Sequence, residues 1–252
     1  MSRQTSLLSR NGIPPCRDQG LEWIEDPRFA FPFLLRKGGY GYVASLLVLL
    51  HDAGENEQQL AGMAGAIAEG VAVVMPRACI PLRRGAFAWD MHGADRAEAT
   101  SAEFRSSVKG VVGFIRTLQA WLGVDASRTA IAGFGQGGTL GAAVALCPSE
   151  CVGGLGLLAS RWPAVASREG MRYLHAFIGH GVLDEGVPVE AAGHAAVQLA
   201  RHRAGCTQRR YLAKHELTPQ MRGDFVEWFN ASWLDRTVLA SPLASAGGGL
   251  WG

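Results

Sequence analysis

The sequence predicts an α/β fold in which a doubly wound, mostly parallel sheet is flanked by helices. Strand-like and helix-like patterns alternate along most of the chain, and strands that are separated by helices need the crossover connections of parallel sheets. The run from Tyr42 to Leu50 is almost continuously apolar, as strands buried on both faces are. A chain of 252 residues with 48% hydrophobic residues can also bury one large core.

In the N-terminal half, short apolar runs predict strands, and apolar residues at helical spacing predict helices. In order, these elements are strands at Phe29–Arg36 and Tyr42–Leu50, a helix at Asn56–Ala68, a strand at Val71–Met75 and a helix at Ser101–Leu122. Gly38 and Gly39 supply a turn between the first two strands. Pro76 ends the third strand because proline lacks the amide hydrogen of a ladder.

The C-terminal half continues the alternation. Its elements are a strand at Thr129–Phe134, a helix at Gln136–Leu146, strands at Val152–Leu158 and Tyr173–Ile178, a helix at Val189–Arg203, a strand at Gln208–Leu212 and a helix at Pro219–Phe229. We predict one domain at residues 29–235, after an N-terminal extension at residues 1–28. A flexible tail, rich in Ala, Ser and Gly, is predicted at residues 236–252.

Composition narrows the classes of partner. The 24 basic and 22 acidic residues give a formal charge of +2, which is too balanced to predict a nucleic-acid or anionic-membrane surface. The longest apolar run is about half of the ~20 residues that a membrane helix needs. We therefore expect a small-molecule substrate, with no nucleic acid, no membrane partner, and no metal or organic cofactor.

Cysteine usage and the N-terminus predict a cytoplasmic protein. The five cysteines form an odd set without CxxC or Cys/His metal spacing, which favours reduced thiols over a disulfide framework. Residues 1–19 contain no apolar stretch long enough for the core of a signal peptide.

The most informative motif joins the strand at Thr129–Phe134 to the following helix. Residues 133–138 read GFGQGG, which resembles the G-x-S-x-G turn whose strained central residue presents a nucleophile. Gly135 occupies the central position, and glycine adopts strained dihedrals without a Cβ penalty. The turn is therefore retained while the nucleophilic oxygen is missing, although a phosphate-binding loop is a competing interpretation.

Three other loops follow predicted strands. After the buried strand, the Ala53 amide is placed to form an oxyanion hole with the Gln136 amide. Asp184 lies in a loop after the strand at Tyr173–Ile178, and His215 lies just before the last helix. Each loop alone is typical of an ordinary turn. Together with the turn at residues 133–138, which we call the elbow, they give the chain order elbow, acid, histidine.

With these motifs the chain resembles the phospholipase/carboxylesterase group of α/β-hydrolases, which includes acyl-protein thioesterases, from about Phe29 to Phe229. That group combines a Leu-His-Gly-x-Gly loop, a Gly-Phe-Ser-Gln-Gly-Gly elbow, a His-Gly-x-x-Asp-x-x-Val-Pro loop and a Gly-His-Glu segment. The resemblance implies an α/β-hydrolase fold with Asp184 as acid and His215 as base. It implies Trp89 as a residue of the substrate pocket, with burial in the core as the alternative, and a monomer or homodimer.

Three positions around the predicted site depart from the pattern of this group. Gly135 stands where the group has serine, and Asp52 and Lys214 stand where it has glycine. Asp52 would place a carboxylate in the substrate-binding region beside the oxyanion site, where it repels a developing negative charge unless it is protonated or paired. Three changes around one site favour natural divergence over a single laboratory substitution.

No other side chain is a strong candidate for the missing nucleophile. Cys147 lies roughly 16 Å along the helix from Gln136, which is out of reach. The hydroxyls of Thr139 and Ser160 are nearer, but hydroxyls in helices and turns more often bond to the local backbone. We favour a water molecule activated by the imidazole of His215.

Three hypotheses for function follow. In the favoured one, a general-base dyad of His215 and Asp184 acts on a small carbonyl compound such as an ester or thioester, without an acyl-enzyme, as a hydrolase, lyase or cyclase. In the second, the protein is catalytically silent and binds a ligand or a partner. In the third, it is a serine esterase or thioesterase inactivated by a Ser-to-Gly substitution at position 135.

Overall fold

The computed structural model describes residues 20–39, 43–91, 101–147, 151–165 and 174–239, with the backbone alone for residues 234–239. The strands are β1 (Leu21–Ile24), β2 (Phe33–Arg36), β3 (Ser45–Leu50), β4 (Val71–Pro76), β5 (Ile80–Arg83), β6 (Ala86–Ala88), β7 (Thr129–Phe134), β8 (Gly154–Leu158), β9 (His175–Gly181) and β10 (Gly205–Tyr211). The helices are α1 (Ala61–Ala64), α2 (Ala102–Leu122), α3 (Gln136–Ala145), α4 (Glu190–Arg201) and α5 (Pro219–Leu239).

Eight of these strands form the central sheet, in the order β1-β2-β4-β3-β7-β8-β9-β10. The six strands from β4 to β10 in this order are parallel, whereas β1 and β2 are antiparallel additions at one edge. The predicted fold class, a mostly parallel sheet flanked by helices, is confirmed. Strands β5 and β6 form a separate hairpin.

The core has one layer on each face of the sheet. Alternate residues of β3 point to opposite layers: Leu46 and Val48 pack with α2, α3 and α4, while Leu47 and Leu49 pack with α1 and α5. A strand that is covered on both faces reads as continuously apolar, which explains the pattern from which β3 was predicted.

The predicted helix at Asn56–Ala68 is wrong over most of its length, because only Ala61–Ala64 is helical. The Asn56 side chain bonds to the carbonyl of Gly85 and to the amide of Gln58, so it stabilises a turn instead of a helix. Glycines at positions 62 and 65 further lower the helical propensity of this segment.

Two elements cross the predicted domain boundaries. Strand β1 pairs with β2, so the sheet begins within the segment assigned to an N-terminal extension. Helix α5 continues to Leu239, past the predicted boundary at residue 235. Residues 1–19 and 240–252, including most of the predicted tail, lie outside the described residues. No helix in the described ranges combines the length and apolar character that crossing a membrane requires.

Candidate active site

Four loops meet at the carboxyl edge of the parallel strands, where α/β sheets place their reactive groups. Asp52 follows β3 and Gly135 joins β7 to α3. Strands β3 and β7 are neighbours, with Leu50 opposite Gly133, so these two loops lie side by side. The loops that carry Asp184 and His215 follow the neighbouring strands β9 and β10.

The turn between β7 and α3 has the geometry of a nucleophile elbow. Gly135 has φ +53° and ψ −119°, a conformation that strains any residue with a Cβ. A Cβ at position 137 would lie under 3.0 Å from the carbonyl oxygens of Leu50 and His51. Glycine at position 137 therefore lets the start of α3 approach the loop after β3.

Asp184 orients the imidazole of His215. The Nδ1 of His215 lies 2.7 Å from Oδ2 of Asp184, and Oδ1 of the same carboxylate accepts the amide of Val187 at 2.7 Å. The Asp184 side chain has no exposed surface. Because a buried carboxylate with fixed partners cannot turn freely, it fixes the direction in which Nε2 of His215 points.

The opposite nitrogen of His215 faces a second carboxylate, that of Asp52. The distance from Nε2 to Oδ2 of Asp52 is 3.1 Å. The other oxygen, Oδ1, accepts the backbone amides of Ala53 at 2.8 Å and Gln136 at 2.7 Å. The two amides that the sequence analysis assigned to an oxyanion hole therefore converge on one point, and the carboxylate of Asp52 occupies it.

Gly135 is what allows Asp52 to occupy this position. A Cβ built on Gly135 would lie under 3.0 Å from Cγ and from both carboxylate oxygens of Asp52. In the observed conformation of Asp52, any side chain at position 135 would therefore collide with the carboxylate. Glycine at 135 and aspartate at 52 are sterically matched, although they lie far apart in the sequence.

The two carboxylates favour the charged form of His215. The hydrogen bond with Asp52 is the largest cause of a rise in the pKa of His215 to about 9, and the bond with Asp184 adds to it, against an opposing effect of burial. At neutral pH the ring is therefore an imidazolium that donates to both carboxylates. A carboxylate beside the oxyanion site is unfavourable unless it is protonated or paired, and that of Asp52 is paired with His215.

His180 lies on the far side of Asp184 and behaves differently. Its ring is fully buried and donates from Nε2 to the carbonyl of Val187 at 2.7 Å. Burial lowers the pKa of His180, so this ring is neutral at neutral pH. His180 therefore supports the loop of Asp184, while His215 carries the charge of the site.

Three side chains behind the site support its loops, and of these only Gln59 was not singled out from the sequence. The side-chain oxygen of Gln59 accepts the backbone amide of Asp52 at 2.8 Å. The side chain of Gln136 bonds to the amide of Trp89 and the carbonyl of Asp90. The indole of Trp89 donates to the carbonyl of His51 at 2.9 Å and is fully buried. Trp89 thus holds the loop of Asp52, while its contact with a substrate stays a prediction.

The three side chains considered as substitute nucleophiles are engaged elsewhere or protonated. The hydroxyl of Thr139 donates to the carbonyl of Gly135 and accepts the amide of Arg161. The hydroxyl of Ser160 is buried and donates to the carbonyl of Leu158 at 2.8 Å. Burial raises the pKa of the Cys147 thiol, which disfavours the reactive thiolate.

Residues 133–138 also spell G-x-G-x-x-G, the fingerprint of dinucleotide-binding folds. In that fingerprint a pyrophosphate binds at the N-terminus of the following helix. Here the amide of Gln136, at the start of α3, is bonded to the carboxylate of Asp52. The position of a phosphate is taken by an anionic side chain of the protein itself.

The fold agrees with a comparison against known families. The model of the family described as Phospholipase/Carboxylesterase matches residues 41–232. The chain belongs to this family. Its membership places the protein among esterase-like α/β-hydrolases, as the sequence motifs predicted. No protein in a comparison with curated sequences matches this chain significantly.

Solved structures of bacterial carboxylesterases have the same fold at low sequence identity. A carboxylesterase from Mesorhizobium loti superposes with a TM-score of 0.72 at 20% identity, covering 83% of this chain and 98% of that one. A carboxylesterase from Bacillus cereus gives 0.67 at 18% identity, covering 80% and 94%. A phospholipase/carboxylesterase from Dyadobacter fermentans gives 0.63 at 17% identity, covering 80% and 95%. At these identities the likeness concerns the fold.

Proposed function

We propose that the protein is a hydrolase in which His215, oriented by Asp184, activates a water molecule for attack on an ester-type carbonyl. No serine takes part and no acyl-serine forms. The observation that carries this proposal is the imidazole of His215, whose Nδ1 is bonded to Asp184 while Nε2 points to the carboxylate of Asp52 beside the apex of the elbow. A small-molecule substrate, a cytoplasmic location and a monomeric or homodimeric state remain predictions.

The resting site must lose a proton before this chemistry starts. A general base accepts a proton only in its neutral form, and the pKa of His215 is raised to about 9. The rate is therefore expected to rise with pH up to about 9 as the fraction of neutral imidazole increases. A tetrahedral oxyanion next to Ala53 and Gln136 would be stabilised by the same amides that now bind Asp52.

Replacement of the base tests this proposal. His215→Gln should lower the hydrolysis of activated esters and thioesters by about 10²- to 10⁴-fold, because this is the contribution of a positioned general base. His194→Gln is the matched control, since His194 is exposed on α4 and bonds to its helix neighbour Gln198. Equal rates in the two variants would contradict the proposal.

A second candidate function is ligand or partner binding without turnover. It is favoured by the carboxylate of Asp52, which satisfies both amides and pairs with the charged imidazole. A silent protein would bind small carboxylates or esters, measured by calorimetry, while releasing no product at any pH. Turnover that depends on His215 would exclude this candidate.

The third hypothesis, an esterase inactivated at position 135, is less well supported by the geometry. A single Ser-to-Gly substitution accounts for Gly135, but it does not account for an aspartate whose carboxylate fills the space beside that glycine. The matched pair of residues supports a site that has diverged as a unit.

A further inference from the structure

The resting arrangement raises a difficulty for hydrolysis of a substrate ester. An incoming carbonyl oxygen would need the amides of Ala53 and Gln136, and both already bind Oδ1 of Asp52. The substrate would have to displace a charged group from its best partners. No displacement is needed if the carbonyl that is attacked belongs to Asp52 itself.

The hydrogen bonds of Asp52 leave one of its oxygens able to react. A carboxylate offers about four lone-pair sites. Two on Oδ1 accept amides at 2.8 and 2.7 Å, and one on Oδ2 accepts the imidazole of His215 at the longer distance of 3.1 Å. Within the described part of the chain, no other donor contacts this carboxylate. Oδ2 therefore keeps a lone pair, since it has one hydrogen-bond partner whereas Oδ1 has two.

The site is also accessible from outside. The side chains of Asp52 and His215 are 15% and 29% exposed, whereas Asp184 is fully covered. Gly135 presents no Cβ beside the carboxylate of Asp52. The partly exposed side chains of Asp52 and His215 therefore form the side from which a small molecule approaches the carboxylate.

The geometry points to Asp52 as the nucleophile of this protein, acting on alkyl halides to form an alkyl ester that His215 and Asp184 then hydrolyse. This inference rests on the proposed function of His215 as a base, and it adds the nucleophile and the class of substrate.

In the first step, a lone pair of Oδ2 attacks the saturated carbon that bears the halogen. A bond forms between Oδ2 and carbon, the bond between carbon and halogen breaks, and a halide ion leaves with the bonding pair. The halide departs on the side opposite to Oδ2, and His215 lies 3.1 Å from Oδ2 on the near side. The imidazole is therefore badly placed to protonate a leaving group, so a leaving group that is stable as an anion is required.

In the second step, water attacks Cγ of the Asp52 ester and gives its proton to Nε2 of His215. The negative charge that develops on Oδ1 is stabilised by the two amides that already bind this atom. The tetrahedral intermediate then breaks the bond between Cγ and the alkyl oxygen, and the alcohol that leaves takes the proton from His215. The products are the alcohol, a halide ion and one proton, and the carboxylate of Asp52 is regenerated.

The first step also prepares His215 for the second. The bond with the Asp52 carboxylate is the largest cause of the raised pKa of His215. Conversion of Asp52 to a neutral ester removes that charge, so the pKa of His215 falls and a larger fraction of the imidazole is neutral and able to act as a base. The resting imidazolium is thus compatible with a base that acts only after the ester has formed.

The test uses the full-length protein with propyl, butyl and hexyl bromide as probes. In His215→Gln, which forms the ester but lacks the base, one alkyl group should accumulate per chain, and peptide mass spectrometry should place it on Asp52. In the unchanged protein, a single turnover in heavy-oxygen water should put one heavy oxygen into the Asp52 carboxylate instead of the released alcohol. The alcohol should form about 10²- to 10⁴-fold more slowly in His215→Gln.

Asp52→Asn in the His215→Gln background is the matched control, because it keeps the exposed thiols of Cys79 and Cys206, which bromides also alkylate. The adduct on the peptide of residue 52 should disappear, while any thiol adducts persist. Because the adduct is mapped in the His215→Gln protein alone, the test stands even if the double variant does not fold.

Two outcomes overturn the inference in different ways. An unmodified Asp52 with all three bromides, in a protein that hydrolyses esters in a His215-dependent way, refutes the nucleophile and leaves the proposed function intact. Bromide and ester turnover that are both unchanged in His215→Gln refute the inference and the proposed function together.

Discussion

Two aspartates bind the two nitrogens of one imidazole, but the loops that carry them differ. Asp184 follows β9, has no exposed surface and is fixed by the amide of Val187. Asp52 follows β3, is partly exposed and is bound by two amides that converge across two loops. Asp184 therefore sets the orientation of His215, while Asp52 occupies the amides that a substrate oxyanion would use.

The comparison shows that the same residue type has different consequences in different surroundings. A carboxylate bonded to Nδ1 of an imidazole, as Asp184 is, fixes the orientation of the ring and leaves Nε2 available for proton transfer. A carboxylate on the Nε2 side, as Asp52 is, raises the pKa of the imidazole further and accepts the two amides of Ala53 and Gln136. Three variants separate these two effects.

The largest effect is expected for Asp184→Asn. Loss of this carboxylate removes the partner that orients Nδ1 of His215, and the corresponding change in a serine protease lowers turnover about 10⁴-fold. The measurement is kcat/KM on the best substrate, with Glu185→Gln as control because Glu185 is the exposed neighbour of Asp184. A similar loss in both variants would show that Asp184 has no special role.

A smaller effect is expected for Gly135→Ala, which breaks the steric match with Asp52. The positive φ and the collision with the carboxylate should together cost about 2 to 5 kcal/mol of unfolding free energy, measured with urea. Gly123→Ala is the control, since Gly123 has φ +69° and open space around it. The pKa of His215 should also fall in Gly135→Ala and not in Gly123→Ala. An unchanged pKa in both would mean that Asp52 does not depend on glycine at 135.

The smallest effect is expected in the pH dependence of the free energy of unfolding, and it is tested with Asp52→Asn. The folded pKa of His215, about 9, lies above its ordinary value of 6.5, so its stabilising contribution is complete below pH 6.5 and is lost as the pH rises through 9. Unfolding free energy should fall over this range by at most about 3 kcal/mol. The fall should be smaller in Asp52→Asn, in which Asp184 still bonds to Nδ1 of the ring.

That pH dependence can be followed directly by an NMR titration of the His215 ring. In Asp52→Asn the pKa should move down from about 9 towards its ordinary value, because the largest cause of the rise is removed. A titration that is identical in both proteins would mean that Asp184 alone sets the charge of His215.

Most of the strands and the longer helices could be predicted because their patterns are local. The helix α2 shows apolar residues at helical spacing and begins at Ser101, whose hydroxyl accepts the amide of Phe104. The segment at 56–68 could not be predicted in this way, since the side chains of Asn56 and Gln59 bond to the backbone of Gly85 and Asp52, outside the segment. Strand β1 is short and half exposed, so it lacks a clear apolar pattern.

The sequence by itself determined the family, the order of elbow, acid and histidine, and the glycine at the apex of the elbow, because motifs and chain order are local properties. Only the tertiary structure decided that Asp52 lies within hydrogen-bond distance of both Gln136 and His215. These partners are 84 and 163 residues away along the chain. They meet because parallel strands bring their carboxyl ends to one edge of the sheet. No local sequence pattern predicts the positive charge on His215 that follows from this contact.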